Sequence, residues 1–127
     1  NRIKHTKISY KHILKVMGFV NNIHELMAIS DLIITKPGGI TSAEAMTQGL
    51  PMLIFRPIPG QEEANTKYLI DCQVALCART LDELKTLIID LLTDQVKLNT
   101  MRSKALSCSR PFASHDIASY IINNFLV

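Results

Sequence analysis

An alternation between two kinds of segment constrains the fold of this chain more than any other feature. Four short, largely apolar runs have the length of strands buried on both faces, and they span residues 13–17, 32–35, 51–55 and 74–77. Three segments between these runs place their apolar residues at helical spacing, at 23–29, 41–48 and 61–71. Strands that alternate with helices predict βα units feeding a parallel sheet.

The same pattern sets the fold class and the number of domains. Beyond residue 77 the period is helical, with helices predicted over 81–92, 95–108 and 113–125. The 127 residues suffice for one hydrophobic core. We therefore predict a single α/β domain over 1–127, a Rossmann-like doubly wound parallel sheet. The polar, basic start without an initiator methionine indicates a piece of a longer chain.

Composition excludes several classes of function. No apolar run approaches the roughly 18 residues of a membrane-spanning helix. Three cysteines without C-x-x-C spacing and four scattered histidines predict reduced thiols in a cytosolic protein and no metal site. The net charge is only +3, but five basic residues precede the first acid. They form either a solvated face or a surface attracted to anionic lipid, and no interleaved aromatic residues favour nucleic acid.

The first βα turn of interest follows the predicted strand 32–35. Gly38 and Gly39 lack Cβ atoms, so the backbone there can approach a ligand closely. The next helix directs its unpaired N–H groups and the positive end of its dipole into the same space, which suits a pyrophosphate. The alternative is a tight turn that needs glycine for its dihedral angles.

The helix after that turn begins with Thr41-Ser42-Ala43-Glu44, which has the spacing of a capping box. In such a box Thr41 caps the helix and Glu44 bonds back to the first amide. Alternatively Glu44 faces outward and accepts hydrogen bonds from two vicinal ribose hydroxyls. The two roles exclude each other for the same oxygen pair.

Two more turns carry polar groups near the same sheet edge. The stiff, proline-rich segment 56–61 leads into Gln61, Glu62 and Asn65, whose carboxamides and carboxylate suit sugar hydroxyls. Acids at a helix start are also ordinary dipole complements. Residues 18–21, after the first predicted strand, offer backbone groups that can pair with the edge of a base. Ligands in open α/β sheets collect at such turns.

These residues resemble a known family. The matching motifs cover about half the chain, in order and with agreeing spacing, at 17–20, 30–45, 49–52 and 57–65. They look like the carboxy-terminal domain of the glycosyltransferases that include monogalactosyldiacylglycerol synthases and processive diacylglycerol glucosyltransferases. The peptidoglycan transferase that makes lipid II is a more distant relative. The resemblance implies the carboxy-terminal lobe of a two-lobed GT-B fold, truncated on its amino-terminal side.

The resemblance also implies a role for each candidate residue toward a UDP-sugar donor. Backbone groups of Phe19 meet the uracil, and Glu44 binds the ribose. The diphosphate lies on the turn and the helix start, held by Gly38, Gly39, Ile40 and Thr41, with Lys36 as a further candidate contact. The donor sugar contacts Gln61, Glu62 and Asn65. The catalytic base belongs to the amino-terminal lobe.

The expected reaction is inverting transfer of a hexose from UDP to a diacylglycerol-type lipid. We expect no metal or other cofactor, since no D-x-D pair occurs. The expected location is peripheral, at the cytoplasmic face of the membrane. The apolar stripe of the helix predicted over 113–125 separately predicts self-association. Two alternatives stay open: a UDP-N-acetylglucosamine transferase acting on a polyprenyl-linked peptidoglycan precursor, and a non-catalytic UDP-sugar-binding module.

Overall fold

The computed structural model describes residues 12–126, in which strands and helices alternate as far as the third strand. The elements in chain order are α1 (Ile23–Ala28), β1 (Ile33–Thr35), α2 (Gly39–Thr47), β2 (Met52–Phe55), α3 (Glu63–Asp71), β3 (Ala75–Ala78), α4 (Leu81–Thr93), α5 (Gln95–Cys108) and α6 (Ala113–Phe125). Two βαβ units, β1-α2-β2 and β2-α3-β3, build the sheet.

The three strands form one parallel sheet in the order β1-β2-β3. Ile33 pairs with Met52, and Met52 in turn pairs with Ala75, so the strands start level. Because all three run the same way, their carboxyl ends meet at one edge of the sheet. The turns after β1, β2 and β3 therefore lie side by side.

Helices cover both faces of the sheet, which confirms the predicted α/β, Rossmann-like class. Met52 and Ile54 are buried on one face, in a cluster with residues of α1, α2, α3 and the end of α5. Leu53 points to the other face, where it packs with Leu91 of α4 and Leu98 of α5. This alternation along β2 explains its uninterrupted apolar sequence, since side chains on both faces are buried.

The end of α2 shows how the sequence places β2. Gly49 adopts a positive φ of 63°. Its N–H donates to the Met46 carbonyl, and the Leu50 N–H donates to the Ala45 carbonyl, which is the Schellman arrangement. Pro51 then excludes further helix, so the chain enters β2 at once.

Three of the four predicted strands are confirmed to within two residues, and the first is wrong. Residues 12–22 contain no strand, and the side chain of Ile13 is 97% exposed. Short apolar runs form strands only where a neighbouring strand and covering layers bury them, and no described residue covers this run. Of the basic residues near the start, Lys15 is described and exposed, and Arg2, Lys4, Lys7 and Lys11 lie outside the described residues.

The last helices differ in how firmly they join the domain. α4 and α5 contribute buried leucines to the sheet, whereas α6 has no buried residue. Within residues 12–126, no helix combines the length and apolar character needed to cross a membrane.

Candidate functional site

The turn after β1 presents backbone amides at the carboxyl edge of the sheet. α2 begins at Gly39, with Gly38 as its N-cap, and its first backbone bond runs from the Ser42 N–H to the Gly38 carbonyl at 2.9 Å. Within residues 12–126, the N–H groups of Gly39, Ile40 and Thr41 have no acceptor. Three donors and the helix dipole therefore face the space beside the turn.

Neither glycine of this turn is explained by the fold. Gly38 has a φ of −68° and a ψ of 137°, which any residue adopts, and Gly39 is helical. A Cβ built at either position meets no described heavy atom within 4 Å. The tight-turn explanation is therefore wrong for both positions. Open space beside a glycine backbone is what a closely approaching ligand requires.

The predicted capping box at Thr41 and Glu44 is also wrong. With Thr41 as N-cap the helix would start at Ser42, but it starts three residues earlier, at Gly39, so Thr41 is its third residue and no side chain caps it. Glu44 lies on the exposed side of α2, opposite the buried Ser42, Ala45 and Met46. Among the described residues its carboxylate has no hydrogen-bond partner. Both oxygens are therefore available to a ligand.

The loop after β2 is held by its own polar groups. Gly60 has a φ of 77°, which accommodates the turn. The Ile58 N–H donates to Oε2 of Glu62 at 2.7 Å, and the Glu62 N–H donates to the Ile58 carbonyl at 3.0 Å. The predicted sugar contact Glu62 therefore uses one oxygen to close the loop.

Asn65 is likewise engaged inside the protein. Its Nδ2 donates to the Pro37 carbonyl at 2.9 Å and ties the first turn of α3 to the turn after β1. Gln61, the third predicted sugar contact, is exposed. The structure thus brings the predicted diphosphate and sugar groups to one edge of the sheet, with two of the three sugar groups partly used in holding it together.

Phe19 and Lys36 are the remaining predicted contacts. Phe19 is 95% exposed in the segment before α1, which lacks the strand that was expected to position it. Lys36 is exposed directly after β1, at the same edge as the free amides. Lys36 therefore lies beside the turn that is predicted to bind the diphosphate, and no contact among the described residues fixes Phe19.

One cation at this edge was missed. Arg56 follows β2 with a positive φ of 48°, an uncommon conformation for a residue with a Cβ. Its guanidinium lies over the Phe55 ring at 5.2 Å, and its Nε donates to the Arg79 carbonyl at 3.2 Å. The sequence signal that could have identified Arg56 is its position directly after a buried strand and before a proline-rich turn. Strained backbone of this kind often occurs at functional sites.

Among the cavities of the described residues, a small one of about 140 Å³ lies between α2 and α3, behind the Gly38-Gly39 turn, and includes Ser42 and Asn65 in its lining. Another of about 260 Å³ lies beside the loop after β2, with Pro57 and Glu63 in its lining. A larger one of about 420 Å³ lies at the opposite, amino-terminal end of β3. Within 12–126, no group of three or more histidine, cysteine or acidic side chains is placed to hold a metal ion.

Comparison with known proteins decides the family. The profile of the family described as "Glycosyl transferases group 1" matches residues 2–107, a span that includes all three turns of the sheet edge. The chain belongs to this glycosyltransferase family. The three helix-start amides, the two glycines and Glu44 all lie within the matched span.

This group 1 glycosyltransferase chain is similar to several bacterial enzymes named processive diacylglycerol beta-glucosyltransferase. Identity to the Bacillus licheniformis protein is 35% over 113 residues, or 89% of this chain and 30% of that protein. Identity to the Bacillus subtilis protein is 40% over 89 residues, or 70% of this chain and 23% of that protein. Identity to the Staphylococcus haemolyticus protein is 40% over 96 residues, or 76% of this chain and 24% of that protein. The predicted resemblance is confirmed, and the chain spans 30% or less of each relative.

Proposed function

We propose that the intact protein transfers a hexose from a UDP-sugar to a diacylglycerol-type lipid with inversion, and that this chain supplies the donor-binding lobe. One observation carries the donor assignment: two glycines without a conformational or steric need lie beside three amides without acceptors in the described residues. The names of the relatives support the lipid acceptor.

The donor is placed along the carboxyl edge of the sheet. Its diphosphate accepts hydrogen bonds from Gly39, Ile40 and Thr41, with Gly38 allowing close approach and Lys36 adding a positive charge. The exposed carboxylate of Glu44 accepts from the two ribose hydroxyls. The sugar lies toward the loop after β2, near Gln61, Glu62 and Asn65, and the uracil meets the backbone of Phe19.

This chain acts on the leaving-group side of the reaction. As the bond between the sugar and UDP breaks, negative charge grows on the diphosphate. Fixed N–H donors aimed at that charge lower the barrier, and one such donor is worth about 3 kcal/mol in known oxyanion sites. The lipid hydroxyl attacks from the opposite side of the sugar, which gives inversion. Its proton goes to a base on the other lobe. No metal takes part in this proposal.

The same proposal places the protein peripherally at the cytoplasmic face of a membrane. UDP-sugars are charged and polar, whereas a diacylglycerol acceptor stays in the bilayer. A transferase that joins them must work at the boundary. The exposed Lys15 is suited to an anionic surface, and the acceptor lobe makes the main contact. Nucleic acid has no part in this function.

The test is nucleotide binding and turnover by the intact protein with Glu44→Gln and Glu44→Ala. We expect UDP to bind and ADP not to bind. Both variants should lose about 10- to 100-fold in UDP affinity, since hydrogen bonds to a charged group contribute about 1.5–3 kcal/mol. 2′-Deoxyuridine diphosphate lacks one of the two ribose hydroxyls. Substitution of Glu44 should therefore weaken its binding by a smaller factor than it weakens UDP binding.

Two results would contradict the proposal. Equal affinity for UDP and ADP would exclude uracil recognition, and equal UDP affinity of the wild type and both Glu44 variants would exclude the ribose contact. Preference for UDP-N-acetylglucosamine with a polyprenyl-linked acceptor would indicate the peptidoglycan alternative. UDP-sugar binding without transfer to any lipid would indicate a non-catalytic module.

A further inference from the structure

The turn that faces the proposed diphosphate is joined to α3 by one long-range hydrogen bond. Nδ2 of Asn65, in the first turn of α3, donates to the Pro37 carbonyl at 2.9 Å. The two residues are 28 positions apart in the chain. Pro37 itself is buried, so this bond replaces a water contact that its carbonyl has lost.

The Pro37 carbonyl is a sensitive point at which to hold the turn. It shares a rigid peptide plane with the Gly38 N–H. That N–H donates to the Lys36 carbonyl at 2.9 Å, so the plane is fixed on both sides. Gly38 is the N-cap of α2, and the orientation of this plane sets the direction of the amides that follow. Gly38 and Gly39 have no Cβ atoms, so their side chains do not restrict the conformation of the turn.

α2 and α3 share the hydrophobic core through Met46 and Leu69, but a gap lies between their first turns. This cavity of about 140 Å³ separates Gly39 and Ser42 on one side from Asn65 on the other. Oγ of Ser42 is buried there without a hydrogen-bond partner among the described residues. Because the described side chains leave this gap behind the turn, the Asn65 amide is the polar link that sets its position.

We propose that Asn65 is a positioning residue for the diphosphate turn, a role that rests on the proposed donor-binding function. Its amide nitrogen holds the Pro37 carbonyl and through it orients the N–H groups of Gly39, Ile40 and Thr41. Asn65 then affects the diphosphate of every UDP compound, whether or not a sugar is attached. A residue that only contacts the sugar affects UDP-glucose and leaves UDP binding unchanged.

The experiment compares uridine, UDP and UDP-glucose binding by the intact protein with Asn65→Leu and Asn65→Asp. Leucine keeps the approximate size and removes the donor without adding charge, and aspartate keeps the shape and replaces the donor nitrogen by a second acceptor oxygen. We expect each variant to bind uridine like the wild type and to bind UDP and UDP-glucose about tenfold more weakly, by the same factor. Asn99→Asp, the same chemical change on the exposed side of α5, should bind all three compounds like the wild type.

Each other outcome overturns the positioning role. Unchanged UDP affinity with weaker UDP-glucose binding would make Asn65 a sugar contact alone. A loss in the aspartate variant only would trace to its charge, and an equal loss for uridine would indicate a general effect on the fold. Asn65→Ala replaces the leucine variant if that one does not fold. Failure of the proposed function gives a different result, because the wild-type protein itself would then not bind UDP.

Discussion

Glycine residues of α2 are required for different reasons at its two ends. At the carboxyl end, Gly49 has a φ of 63° and a Cβ there would approach Leu106 to 3.1 Å. At the amino end, Gly39 has an ordinary helical conformation and open space around it. The fold therefore explains Gly49 and leaves Gly39 to be explained by a ligand.

Gly39→Ala is expected to separate stability from binding. Alanine in the first turn of a helix restricts the unfolded chain, so the free energy of unfolding should rise by up to about 1 kcal/mol. The added methyl group lies where the diphosphate approaches, so UDP affinity should fall at least about tenfold. Urea unfolding and calorimetric UDP titration measure the two effects. Unchanged UDP affinity would contradict the assignment of the turn.

Gly49→Ala, at the other end of the helix, should have the opposite effect. Both the positive φ and the close approach to Leu106 oppose a Cβ. Strain of this kind costs about 1–3 kcal/mol, so the free energy of unfolding should fall by that amount. UDP affinity of the folded protein should stay within about twofold of the wild type. A neutral effect on urea unfolding would show that the helix end adapts to the change.

At the scale of elements, two Thr-x-x-Glu sequences show what a pattern can and cannot predict. Thr80 and Glu83 form a complete capping box at the start of α4, with the Glu83 N–H donating to Oγ1 of Thr80 at 3.2 Å. Thr41 and Glu44 have the same spacing and form none, because α2 already starts at Gly39. Both sequences have the required spacing, and the residue at which the helix starts decides which of them forms a capping box.

The α4 box predicts a stability effect that depends on pH. The pKa of the Glu83 carboxyl lies below its ordinary value, chiefly because the Arg79 N–H donates to Oε2 at 2.7 Å, and the Thr80 N–H assists. A lowered folded-state pKa contributes stability above the ordinary glutamate pKa and loses it as the pH falls through the folded value. Glu83→Gln should therefore lower stability at neutral pH and flatten the acid side of the stability curve.

Urea unfolding between neutral and acid pH measures this effect, with Glu44→Gln as the matched control. Glu44 has no hydrogen-bond partner in the described residues, so its variant should cost less stability at neutral pH than Glu83→Gln does. Thr80→Ala should cost about 1 kcal/mol at neutral pH, as for other N-cap residues, whereas Thr41→Ala should cost much less. Equal costs for the two threonines would contradict the capping geometry.

Elements were predictable from sequence where the layers around them are complete. β2 is buried on both faces and was predicted to within one residue, and α5 and α6 were predicted with their observed bounds. The run at 13–17 is also largely apolar, apart from Lys15, and forms no strand, because strand formation depends on a partner edge that a local pattern does not report. Similarly, spacing located Asn65 and Glu62 at the site, but their bonds to Pro37 and Ile58 depend on tertiary contacts.

At the scale of the molecule, residues 12–126 include two apolar surfaces that no other described residue covers. One is the segment 12–22, with Ile13 and Phe19 almost fully exposed. The other is the α6 stripe, which we define as Ile117, Tyr120, Ile121 and Phe125. Ile117, Ile121 and Phe125 recur at four-residue spacing and Tyr120 lies beside Ile121. The rings of Tyr120 and Phe125 meet edge to face at 6.3 Å. A continuous apolar stripe of this kind is unusual on a monomeric surface and is typical of an interface.

The α6 stripe therefore predicts that this 127-residue chain self-associates when it is expressed alone. Burial of the stripe against a second copy removes apolar surface from water at about 25 cal/mol per Å². Sedimentation velocity at increasing concentration should show dimers or larger species. Ile117→Glu and Phe125→Glu should shift the distribution to monomer without changing the fold, because neither side chain is buried. Ile89→Glu, on the exposed side of α4, is the matched control and should not shift it. If the chain stays monomeric at every concentration, or if the α4 variant dissociates it as well as the α6 variants do, the stripe is not the contact surface.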